Sequence, residues 1–132
     1  MKRLNINLKE PNFFDLHKAI KINNGNAYRV LLENVNGMSF HPVKSFSRPV
    51  YWMYSIQLST NAKITASAMM KELHSAGIDT RPFFKGLHEQ PALKKTGLFN
   101  GETYPVTEAA YIYGFYIPSG FKLSSEQIQF VA

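Results

Sequence analysis

The chain has 132 residues, 45% of them hydrophobic, a formal net charge of +6 and no cysteine. That length suits one domain with one core, and that apolar fraction excludes a disordered tail. The lack of cysteine excludes disulfides and thiolate metal sites and suits a cytoplasmic protein.

The first residues, Met1-Lys2-Arg3-Leu4-Asn5-Ile6-Asn7, have no apolar run behind their charges, so no signal peptide is expected. No stretch reaches the ~18 uncharged apolar residues of a membrane span, so no membrane partner is expected either. The lysines are scattered, with Lys2-Arg3 and Lys94-Lys95 the only adjacent basic pairs. Such dispersion describes a solvated face, and no nucleic-acid partner is expected; any such binding should be weak and salt-sensitive.

Pro11-Asn12 reads as a turn, followed by a short helix with Phe13, Phe14, Leu16, Ile20 and Ile22 as its stripe. Asn23-Asn24-Gly25-Asn26 should break that helix, and a new one should run from Ala27 to Val35, stopped at Gly37. His41-Pro42 to Arg48-Pro49 reads as an extended connection. Val50 to Leu58 is the clearest strand, with Trp52, Tyr54, Ile56 and Leu58 expected on the core face and Tyr51, Met53, Ser55 and Gln57 on the other.

Asn61 or Thr65 should cap a helix reaching Ala76, with an apolar stripe of Ala66, Met69, Met70 and Leu73 and Gly77 as its stop. Ile78 to Phe84 reads as a second strand, followed by a long loop through Gly86, Pro91 and Gly97. Pro105 opens a helix that Gly114 stops, and Phe115-Tyr116-Ile117 is a third strand ended by Pro118. Ser124 and Gln127 fit a capping box on a last helix. This order predicts a small open sheet covered by helices.

Four segments are more specific than these patterns. They are Pro49 to Ile56 (PVYWMYSI), Gly77 to Pro91 (GIDTRPFFKGLHEQP), Gly97 to Glu108 (GLFNGETYPVTE), and Gly114 to Gly120 (GFYIPSG) followed by Ser124 to Ile128. In this order they resemble the C-terminal small domain of the DegT/DnrJ/EryC1/StrS sugar-nucleotide aminotransferases, and within that family the GDP-perosamine synthases. The resemblance spans residues 27–132 and leaves residues 1–26 as an unassigned N-terminal segment.

The resemblance implies an α/β fold of the α+β kind, the small domain of a fold-type I transferase dependent on pyridoxal phosphate (PLP). A large domain would bind the cofactor and the small domain would close over it, in a dimer with its active sites at the subunit interface. The implied reaction moves an amino group from glutamate to a nucleotide-linked 4-keto-6-deoxy sugar, feeding O-antigen or other glycan synthesis. No lysine here matches the family's Schiff-base position, so no catalytic, cofactor-binding or metal residue is expected in this chain. Lys44-Ser45-Phe46 only superficially resembles a cofactor-lysine context.

Arg81, Phe83, Phe84 and His88 are the expected substrate-binding residues. Arg81 would hold an anion, His88 a sugar hydroxyl, and one phenylalanine would form an apolar wall. The competing expectation is structural: Arg81 pairs with Glu89, and His88 pins the loop. In this chain, replacing Arg81 or His88 should change stability only slightly. Tyr111, Tyr113 and Tyr116 should face the sheet or a partner.

Two departures from the family pattern stand out: Gly86 replaces a usual proline, predicting a looser loop, and Tyr111-Ile112-Tyr113 replaces a basic pair. Expected partners are the chain itself or a separate large-domain chain, with nucleotide sugar bound only in an intact enzyme. A non-catalytic interaction protein using the former domain interface is the other reading.

Overall fold

A computed structural model describes residues 12–132. The Lys2-Arg3 pair and the Pro11 half of the expected turn lie outside the described residues. The first element is a single helix, α1, Phe13–Leu32, opened by the Asn12 side chain accepting from the Asp15 amide at 2.9 Å. It runs unbroken through Asn23-Asn24-Gly25-Asn26, where a break between two helices was expected, and position 26 falls inside it.

Tertiary contacts override the local signal there. Asn24 is buried and its Nδ2 donates to the Gly120 carbonyl at 3.0 Å. Gly25 lies directly under the Tyr51 ring, where an added Cβ would sit 2.3 Å from two ring carbons. Tyr28 is fully buried and its hydroxyl donates to the Pro118 carbonyl at 2.9 Å. Together with Lys21 and Leu32, these residues follow the i, i+3, i+4, i+7 spacing of one helix face. That face is mostly polar, so hydrophobic periodicity does not reveal it.

The remaining elements are β1 Met38–Phe40, β2 Tyr54–Leu58, α2 Ala66–Ser75, β3 Arg81–Pro82, a 3₁₀ turn at Leu87–Glu89, α3 Pro91–Lys95, α4 Pro105–Tyr113, β4 Gly114–Ile117 and α5 Ser125–Val131. The four strands form one antiparallel sheet in the order β1-β2-β4-β3. This is the small open sheet with helices that the pattern predicts. Three local signals act as read. Thr65 caps α2, and Gly77 at φ 83° ends it while Ile78 N–H reaches back to Leu73 O at 2.8 Å. Ser124 and Gln127 close a capping box on α5.

Three strand expectations need correction. Strand β1 follows Gly37, where only a helix stop was expected. The expected strand from Ile78 to Phe84 shrinks to Arg81–Pro82, an edge pairing that tolerates proline because among the described residues no strand lies beyond it. Strand β2 begins only at Tyr54, because Tyr51 takes a positive φ of 49°. That kink breaks the alternation. Tyr51 turns inward to 6% exposure, whereas Trp52, expected in the core, is 71% exposed.

The core is one cluster built from Tyr28 and Leu32 of α1, Tyr51, Tyr54, Ile56 and Leu58 around β2, Ala66, Phe115, Ile117 and Ile128. Met69, Met70 and Leu73 pack against it from α2. Tyr28 and Tyr51 each approach Tyr54, with ring centroids 5.2 and 5.6 Å away. Burial pushes the Tyr28 and Tyr54 hydroxyls up to about 12, so both stay neutral at ordinary pH.

Gly25→Ala reverses the usual propensity rule. In an open helix alanine would gain about 1 kcal/mol over glycine. Here the methyl collides with the Tyr51 ring, and a net loss of about 1–3 kcal/mol is expected from overpacking. Urea denaturation of the variant checks this, and a gain in stability would show that Tyr51 does not sit on α1.

Candidate functional site

The face of the sheet opposite the core follows from its register. Residues paired directly across antiparallel strands share a face, and Tyr116 pairs with both Ser55 and Arg81. Phe115 and Ile117, of opposite parity, belong to the core. Phe83, two residues beyond Arg81, stacks on Tyr116 with centroids 4.6 Å apart. It also lies against Gly114, where an added Cβ would sit 2.4 Å from the Phe83 ring.

Beside this stack runs a groove of about 530 Å³, whose lining includes Trp52, Arg81, Phe83, Phe84, Lys85 and Tyr111. Phe84 is 74% exposed while Phe83 is half-buried, the alternation expected of the pair. The expected Arg81–Glu89 pair is absent. Glu89 instead faces Lys85 at 3.7 Å, and among the described residues no acid pairs with Arg81. The groove lining holds two cations and no acid. A second hollow of about 440 Å³ shares Trp52 and Met53 with it and adds Arg48 and Tyr116.

His88 lies elsewhere. It is 6% exposed, its Nε2 lies 3.2 Å from Glu108 Oε1, and that oxygen also accepts from the Tyr104 amide at 2.9 Å. The imidazole packs on Tyr104 at 4.8 Å and does not line the groove. It ties the 3₁₀ turn to the start of α4, which is a positioning role for the loop. Gly86 beneath it is buried at φ −55°, a value open to any residue. Glycine is required there for space, since a Cβ would come 2.6 Å from His88 Cε1 and 2.8 Å from Thr107 Cγ2. The looser loop expected from Gly86 is therefore replaced by close packing.

The other histidines make local contacts. His17 stacks on Phe121 at 4.1 Å, His41 bonds Ser55, and His74 faces Asp79 at 3.3 Å. Among the described residues no three potential ligands gather to hold a metal ion. Lys44 to Ser47 is an exposed turn closed by the Ser47 hydroxyl on the Lys44 amide at 3.0 Å. Among the described residues no helix is long and apolar enough to cross a membrane. Residues missing from the expected site are Trp52, Lys85 and Tyr111. No sequence signal marks Trp52, because its outward turn depends on the backbone sign at Tyr51.

Comparison with known proteins identifies the family and the fold. The sequence profile of the DegT/DnrJ/EryC1/StrS aminotransferase family matches residues 12–132, an extent that begins 15 residues before the resemblance described above. GDP-perosamine synthase of Caulobacter vibrioides is 27% identical over 81 residues, covering 61% of this chain and 21% of that protein. Among solved structures, the aminotransferase of pseudoaminic acid biosynthesis from Helicobacter pylori matches 86% of the chain with a TM-score of 0.76 at 16% identity. A sugar aminotransferase from Micromonospora echinospora matches 86% with a TM-score of 0.70 at 19% identity. The GDP-4-keto-6-deoxy-D-mannose-3-dehydratase of Escherichia coli matches 88% with a TM-score of 0.70 at 13% identity. The chain spans 30%, 28% and 30% of these three structures.

The buried His88 changes the expected effect of its removal. His88→Ala strips Glu108 of a partner and opens a void against Tyr104, so a loss of about 1–3 kcal/mol is expected. Arg81→Ala, at an exposed site without a described ion pair, should stay within about 0.5 kcal/mol. Parallel thermal melts of the two variants check the contrast, and equal melting points would contradict it.

Proposed function

The chain belongs to the DegT/DnrJ/EryC1/StrS aminotransferase family, and from that premise we propose that it is the small-domain portion of a PLP-dependent sugar-nucleotide aminotransferase, inactive as these 132 residues alone. The observation that carries this reading is the coverage: the same fold makes up 28–30% of chains that include sugar aminotransferases. The substrate in the complete enzyme is a nucleotide-linked 4-keto-6-deoxy sugar of the perosamine type, aminated from glutamate. The similarity to the Caulobacter vibrioides synthase supports that choice.

Side-chain chemistry supports the inactivity. PLP catalysis needs a lysine for the Schiff base, an acid against the pyridinium nitrogen and a phosphate cradle. Burial holds the pKa of Lys21 below its usual value. Its ammonium donates to the carbonyls of Trp52, at 2.9 Å, and Ser119, and the adjoining hollow has no acid in its lining. This donor set does not fit the cofactor, so no chemical step is assigned to PLP on these residues. The groove with Arg81, Phe83 and Phe84 is then half of a nucleotide-sugar site whose facing wall lies in the large domain.

The surface supports the same reading. Phe13, Phe14, Leu16, Val50, Trp52 and Phe121 are all exposed apolar residues. This uncovered apolar surface also favours a second reading, a non-catalytic protein that uses it to bind a partner or itself.

Two measurements test these readings. Mixed with PLP, the purified chain should show no stable visible aldimine band and no glutamate-dependent amination of a nucleotide-linked keto sugar. A saturable band lost on mutation of one lysine would overturn the inactivity. In sedimentation, the chain should self-associate or bind a hydrophobic dye through its uncovered apolar surface. A clean monomer at high concentration with no dye binding would count against an interface on this face.

A further inference from the structure

Trp52 is the chain's single tryptophan, and its indole is 71% exposed. Its backbone is firmly held. The Trp52 carbonyl accepts from Lys21 Nζ at 2.9 Å and from Ser119 Oγ at 3.4 Å. The residue before it, Tyr51, sits at φ 49°, a conformation that non-glycine residues adopt only when the surroundings over-determine it. These restraints keep Tyr51 in the core and Trp52 out of it. The outward turn follows from the packing of Tyr51 on α1, and it presents the indole at the surface. An aromatic ring held in place at the edge of a groove can serve as a wall for a ligand.

The neighbouring chemistry narrows that use. Trp52 lines the same groove as Arg81 and Lys85, and no acid shares the lining. Cations beside an exposed aromatic face suit a ligand with phosphate at one end and a flat ring at the other. We propose that Trp52 is the stacking wall for the base of a nucleoside diphosphate whose phosphates are held by Arg81, with Lys85 beside it. Trp52 thereby sets specificity for the ring, and Arg81 supplies affinity for the anion. This inference rests on the sugar-nucleotide reading above. It assigns the base to the Tyr51–Trp52 kink, whereas Phe83 and Phe84 are left to the apolar wall. With the opposite wall missing, binding by this chain is weak, in the millimolar range.

A lone tryptophan makes the test direct. The chain is titrated with GDP, with inorganic pyrophosphate and with guanosine at low salt, following indole fluorescence, and the variants are followed by calorimetry. GDP should quench Trp52 saturably at millimolar concentration. Pyrophosphate should compete with GDP without quenching. Guanosine should quench only more weakly. Trp52→Leu should lower GDP affinity at least about fivefold and leave pyrophosphate binding unchanged, and Trp52→Phe should retain most of the affinity. Arg81→Ala should lose both anions.

Unchanged melting of Trp52→Leu is expected, because the ring is exposed. A variant that loses its fold would show the ring to be structural and overturn the inference. Undiminished GDP binding by Trp52→Leu would also overturn it, with the indole facing a protein wall instead, and would leave the sugar-nucleotide reading standing. A chain that binds neither GDP nor pyrophosphate overturns the inference too, and leaves standing the aminotransferase reading, which rests on the family match and the coverage.

Discussion

The contact of Gly25 on the Tyr51 ring is the constraint from which the site follows. Only a residue without a Cβ lets α1 pass so close to an aromatic ring. With Tyr51 drawn down onto the helix, its backbone takes a positive φ, and the next side chain is turned outward. Lys21, Asn24 and Tyr28 complete the attachment by donating to the carbonyls of Trp52, Ser119, Gly120 and Pro118. These are the backbone groups that a loop crossing a helix would otherwise leave buried and unpaired. One helix face therefore positions both the kink before β2 and the connection after β4.

A second anchor works on the opposite side of the groove. His88 and Glu108 join the 3₁₀ turn to the first turn of α4, and Glu108 also accepts from the Tyr104 amide there. Pro105 at the first helical position has no N–H to satisfy, which suits this start. The loop between β3 and α4 is held from inside by a buried histidine, while Arg81 and Phe84 remain exposed on its outer side. Residues of one short segment thus divide between holding the loop and facing a ligand.

The fold does not decide the reaction. The same architecture occurs in sugar aminotransferases and in a dehydratase that acts on a GDP-linked keto sugar, at identities between 13% and 19%. Function on a shared fold belongs to the site. The groove here carries positive charge and aromatic surface, which is chemistry for recognition.

Much of the architecture is legible in the sequence because it depends on short-range chemistry. Thr65 and Ser124 cap helices through their own hydroxyls, and Gly77 takes the left-handed conformation that ends α2. Tyr54, Ile56 and Leu58 alternate into the core. The four ordered segments identify the family without any structure. Other features depend on residues distant in sequence. The Asn23-Asn24-Gly25-Asn26 run stays helical because partners about 96 and 26 residues away respectively satisfy Asn24 and pack on Gly25. Trp52 faces outward because of a single backbone sign set by that packing, and His88 leaves the groove because Glu108, twenty residues on, receives it. Local signals determined β2, α2, α4, β4 and α5 and where several of them end. Only the tertiary structure decided that α1 runs unbroken, that Tyr51 lies inside and Trp52 outside, and that His88 leaves the groove, because long-range contacts can outweigh the ~1 kcal/mol preferences that local sequence expresses.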